Sequence, residues 1–124
     1  MALAAGVPQV MVDSDGNMEE LLPIWLDAGI TSVMPGEAAA GMDPVKLRAQ
    51  FRCMGMLGGI DKRALTQGDA AIEAEVMATV PALLETDGYI PCVDRILSPA
   101  IPLQGFRFYT ELVAKLAEGW PGKI

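Results

Sequence analysis

Residues 53–61 read CMGMLGGID, and residues 69–86 read DAAIEAEVMATVPALLET. The first stretch is a short apolar run closing on paired glycines and an aspartate, the pattern of a buried strand. In the second, Ile72, Val76, Val80 and Leu83/Leu84 recur at the helical period, with Asp87-Gly88 as the stop. The spacing predicts a strand and then a helix, bent at Pro81.

The same unit recurs on both sides. QVMVD (9–13) and TSVMPGE (31–37) are earlier apolar runs, and GYIPCVDR (88–95) is a later one. Asn17 with Glu20 has capping-box spacing ahead of Leu21, Leu22, Trp25 and Ala28, and Gly29 ends that segment. Pro23 is expected past the first helical turn, where it removes one hydrogen bond. Asp43-Pro44 reads as an N-cap with proline at the first helical position. After SPAIP (98–102), a helix over 105–118 is expected to turn Phe106, Tyr109, Leu112, Val113 and Leu116 inward. The closing WPGKI (120–124) is not expected to continue it.

Four strand-then-helix units in series make an α/β chain with a parallel sheet and right-handed crossovers. The 124 residues average about 31 per unit, which suits a (β/α)8 barrel of about 250 residues, so four units make half of one. With 52% hydrophobic content the chain can bury one core and is the length of one domain, 1–124. Its formal net charge of −7 disfavours phosphate backbones and anionic lipid, so neither nucleic acid nor a membrane is an expected partner. Cys53 and Cys92 match no CxxC spacing and form no disulfide framework, which fits a reducing cytosol. The apolar start lacks a basic region and breaks at Gly6 and Pro8, so no signal peptide is read, and no run approaches membrane-spanning length.

In parallel α/β folds ligands sit at the carboxyl ends of the strands. Each strand predicted here ends in ionisable residues: Asp13 and Asp15, then Glu37, then Asp61 and Lys62, then Asp94 and Arg95. Taken singly, each is as well explained by loop solvation or helix capping. Their recurrence at all four ends points to a site.

The blocks DGN, WL-x-AG, P-x-E-x-x-AGMD, GGIDKRAL and GYIP-x-x-D occur in order over roughly residues 10–116. This series resembles the C-terminal half of the uroporphyrinogen decarboxylase-like superfamily, which includes uroporphyrinogen decarboxylase and corrinoid-linked methyltransferases. The resemblance implies the last four units of a (β/α)8 barrel, with an active cleft at the strand C-termini. It implies a carboxylated tetrapyrrole ligand and no cofactor for a decarboxylase, or zinc and a corrinoid for a methyltransferase. The decarboxylase's substrate-holding arginines and its pyrrole-steering aspartate lie largely in the N-terminal half, so those roles are not carried over. The residues expected to act in catalysis are Asp15, Glu37 and Asp94, with Asp13, Gly59, Lys62 and Arg95 expected to bind substrate. The methyltransferase zinc ligands fall at Asp13, Asp15 and near Cys92; oxygen ligands suit harder metals, so no metal is the favoured expectation.

Several positions stay open on residue type alone. Arg95 stands where relatives commonly carry histidine; it stays protonated and suits a carboxylate, or it pairs with Asp94 or a neighbouring rim acid. Lys62 suits a carboxylate, or pairs with Asp61 or Glu37. Gly58-Gly59 allows close approach of a ligand, or is a tight turn. Met34, Met54, Met56 and Met77 are expected in the core, Cys53 is expected buried, and Tyr89 and Tyr109 are expected to pack. A half-barrel exposes inward-facing apolar side chains and two strand edges, so a second copy or a complementary N-terminal half is the expected partner.

Overall fold

The computed structural model describes residues 2–119. Strand β1 (Met11–Asp13) is followed by α1 (Leu22–Asp27), β2 (Ser32–Met34) by α2 (Pro44–Gln50), β3 (Gly55–Ile60) by α3 (Asp69–Leu84), and β4 (Tyr89–Val93) by α4 (Leu103–Glu118). The strands form one sheet in the order β1-β2-β3-β4, and every neighbouring pair is parallel. Four βα units and a four-stranded parallel sheet are what the pattern predicted. WPGKI lies outside the described residues.

Capping explains where two segments begin. Asp43 accepts hydrogen bonds from the Val45 and Lys46 N–H groups, with Pro44 in the first turn, where its missing N–H costs nothing. Asp61 accepts from the Arg63 N–H and opens a 3-10 turn over Lys62–Thr66. The first helix departs from expectation. Asn17 accepts from the Glu19 N–H, a local turn one step before the helix, and α1 starts only at Leu22. Pro23 consequently falls inside the first turn and removes no helical hydrogen bond.

The two faces of the sheet differ. Val33, Met56, Ile60, Tyr89 and Val93 are buried on the side that α3 covers, together with Ile72, Val76, Val80 and Leu83 of that helix. The alternate residues, among them Met11, Asp13, Leu57, Ile90 and Cys92, point to the opposite face, where Met11 and Ile90 keep 40% and 58% of their surface exposed. Tyr109 of α4 is buried, and Phe106, Leu112, Val113 and Leu116 pack against the same core. Met54 and Met56 are buried as expected, but Met77 is 47% exposed because it lies off the Ile72–Val76–Val80 stripe. Cys53 is also exposed, since it sits in the turn before β3 rather than in the strand. Among the described residues, no helix is long and apolar enough to cross a membrane.

One buried cation organises the amino-terminal end of the sheet. Arg48 of α2 donates from Nη1 to the Arg52 and Met54 carbonyls, both at 2.8 Å, and from Nη2 to the Gly88 carbonyl at 3.4 Å. It thereby gathers the turns that lead into β3 and β4. Nothing in residue type alone distinguishes it from a surface arginine. Truncation leaves buried carbonyls without donors, so Arg48→Ala is expected to cost about 2–4 kcal/mol in urea unfolding. Arg48→Lys is expected to recover less than half, because an ammonium lacks the guanidinium fork.

Candidate functional site

Parallel strands all point their carboxyl ends the same way, so the loops after β1, β2, β3 and β4 meet at one rim. A cleft of about 780 Å³ opens there on the uncovered face. Met34, Pro35, Leu57, Cys92 and Val93 contribute its apolar floor, and Asp13, Asp15, Glu37, Lys62 and Arg95 its ionisable rim. Five of the seven residues expected at a site therefore converge, and Gly59 and Asp94 do not. The floor was missed: Met34 was expected in the core. Its signal was present, because two-residue alternation and the parallel register put Met34 on the same face as Asp13.

Arg95 links the rim. Its guanidinium reaches Asp15 at 2.9 Å, from the loop after β4 to the loop after β1, and lies 3.5 Å from Glu37 after β2. Of the two readings of Arg95, the pairing with neighbouring rim acids is the one present, and Asp94 is not its partner. The residue has φ 147, a backbone region that favours glycine, in a turn where its N–H meets the Val93 carbonyl. An arginine in this conformation stores backbone strain. Its guanidinium sits between two carboxylates.

Glu37 is held from two sides. The Gly16 N–H donates to its carboxylate at 2.7 Å, and this bond, followed by the Arg95 charge, keeps its pKa below the ordinary value against the opposing effect of desolvation. Glu37 is therefore ionised at neutral pH and is suited to accept hydrogen bonds or stabilise positive charge rather than to give a proton. Lys62 extends its ammonium to the Ile96 carbonyl at 3.0 Å, so neither Asp61 nor Glu37 is its hydrogen-bond partner. Asp61 instead accepts three side-chain hydrogen bonds from Arg63, outside the cleft.

Asp94 lies buried just past the end of β4, outside the lining of the cleft. It is 2% exposed, and its two carboxylate oxygens accept from the Lys62 N–H at 3.2 Å and the Ala39 N–H at 3.4 Å. A charged acceptor of two amides binds the loops after β2 and β3 to the end of β4. Gly59 lies within β3 and is also outside that lining. Its N–H is donated to the Pro35 carbonyl at 3.0 Å, and a Cβ built on it would lie 2.7 Å from Pro44. A Cβ on Gly58 would collide with the Pro35 carbonyl at 1.7 Å. The paired glycines lie in β3 rather than in a turn, and their lack of a Cβ lets the strand pack closely against Pro35 and Pro44.

The donor set does not fit zinc. Among the described residues, no three His, Cys, Asp or Glu side chains converge as a ligand group, so Asp13, Asp15 and Cys92 form no such cluster. Burial first, and then the Asp94 charge, push the Cys92 thiol upward, which keeps it protonated at neutral pH and poorly suited as a ligand or nucleophile.

Two measurements separate these roles. Asp94→Asn presents its NH2 group to one of the two amides, so a loss of about 1–3 kcal/mol in stability is expected in urea unfolding. A catalytic role instead predicts an unchanged unfolding midpoint. Glu37 stabilises the fold fully above its ordinary value of 4.5, and that contribution disappears as pH falls through its lower, folded value. Glu37→Gln is therefore expected to flatten the stability-versus-pH slope below about pH 4.5 in urea melts.

Compared with known proteins, the chain matches no family model, no curated protein and no solved structure.

Proposed function

We propose that this chain is the C-terminal half of a uroporphyrinogen decarboxylase-like carboxy-lyase, whose cleft takes a carboxylated tetrapyrrole and is incomplete without further strands. The observation that supports this reading best is the pairing of a wide apolar floor with a rim that carries both signs of charge. An apolar macrocycle suits the floor formed by Met34, Leu57 and Cys92. Its peripheral carboxylates suit the Arg95 fork and the Lys62 ammonium, and its pyrrole N–H groups suit the Glu37 and Asp15 carboxylates.

The reaction of such an enzyme breaks the bond between a side-chain carbon and its carboxylate, releases CO2 and places a proton on that carbon. The chain alone is poorly equipped for the proton. Glu37 is held ionised, Cys92 is held neutral by burial, Asp94 has both oxygens engaged, and the sequence contains no histidine. Binding without turnover is accordingly the reading for the isolated half. The corrinoid-linked methyltransferase alternative is less well supported, because the positions that would hold zinc carry an unsuitable donor set.

Absorbance titration with uroporphyrin near neutral pH tests the proposal. Saturable binding is expected, weakened tenfold or more by Arg95→Ala, a loss of about 1.4 kcal/mol, with no CO2 release from the isolated chain. Saturable binding of a corrinoid together with none of the porphyrin would overturn it.

A further inference from the structure

The uncovered face of the sheet identifies its own missing cover. Parallel strands are normally buried on both sides and read as near-continuous apolar runs. MVD, SVM, GMLGGI and YIPCV read that way, yet helices lie on one side only. Met11 and Ile90 stand exposed on the open face, and Ile96, just past β4, is 90% exposed. Among the described residues both outer strands are also open: β1 pairs only with β2, and β4 only with β3.

We infer that the occupant of this face is a second copy of the same chain. The inference shares the half-barrel reading of the fold but does not depend on the ligand. A two-fold axis running along the strands keeps all strands parallel and sets β4 of one copy beside β1 of the other, twice, so eight strands close and no edge remains. The charges at those edges match. β1 ends at Asp13 with Asp15 just past it, whereas Arg95 follows β4. Asp13 forms none of the ion pairs among the described residues and is 2 residues from the acid that already holds Arg95. In the closed assembly, Arg95 of each copy meets Asp13 and Asp15 of the other. Each copy's half of the shared rim then draws one cation from its partner.

Charge exchange between chains distinguishes this arrangement from the pairing within one chain. The full chain is expected to sediment at twice its 13.1 kDa mass at tens of micromolar. Two variants, Arg95→Glu and the doubly substituted Asp13→Arg with Asp15→Arg, each place like charges at both contacts. Each is expected to dimerise at least tenfold more weakly while keeping its helical circular dichroism. An equimolar mixture restores opposite charges at both contacts, and a heterodimer of wild-type affinity is expected. Ile90→Lys, on the open face, is expected to yield a folded monomer.

A monodisperse wild-type monomer overturns the inference, as does a mixture no stronger than its components. A chain that stays monomeric until an N-terminal half-barrel is added also overturns it, because that half is then the occupant. Should the charge variants fail to fold, wild-type mass and Ile90→Lys still decide. No porphyrin enters these measurements, so a dimer that binds none refutes the proposed ligand alone, and a monomer that binds it refutes the dimer alone.

Discussion

Backbone hydrogen bonding between parallel neighbours governs this molecule. Each strand must be returned to the same starting end by a helical crossover, so the four strand C-termini and their loops come out on one side. That geometry brings Asp15, Glu37, Lys62 and Arg95 together although up to 80 residues separate the paired Asp15 and Arg95. It also forces close contact among the loops themselves. Glycine at positions 58 and 59 lets β3 come against Pro35 and Pro44, and the Asp94 carboxylate then ties the neighbouring turns through their amides.

The charged groups divide into two kinds of work. Arg48 and Asp94 are buried and make their side-chain hydrogen bonds to backbone groups, one at each end of the sheet. Removing either uncovers polar groups that water does not reach. Arg95, Asp15, Glu37 and Lys62 face the cleft, where a ligand can exchange with their present partners. Arg95 stands apart among these, because an unfavourable backbone conformation carries a half-exposed guanidinium paired with the Asp15 and Glu37 carboxylates. Its contacts are the ones most readily exchanged for those of a carboxylated ligand or of another chain.

Much of the fold was legible. The change from apolar runs to helical periodicity located α3 closely, at Asp69–Leu84 against an expected 69–86, because Ile72, Val76 and Val80 form an unbroken stripe. Asp43-Pro44 marked the start of α2, since cap chemistry is local. Where local signals competed, the reading failed. Asn17 had a suitable partner three residues later, but its side chain closed a shorter turn onto Glu19 and the helix began at Leu22. Met77 had a core residue's chemistry and the wrong angular position, and Cys53 fell one turn short of its strand.

Residue order and type by themselves determined the α/β class, the four repeated units and the placement of ionisable groups at strand ends, because periodicity and turn chemistry act over a few neighbours. Only the tertiary structure decided which of those groups face the cleft. Asp94 and Arg95 are adjacent in sequence, yet one is buried on two loop amides and the other extends across the mouth to Asp15. A single backbone turn at the end of β4 sends the two side chains to opposite tasks. That choice depends on loops 32 to 80 residues distant, which no local pattern encodes.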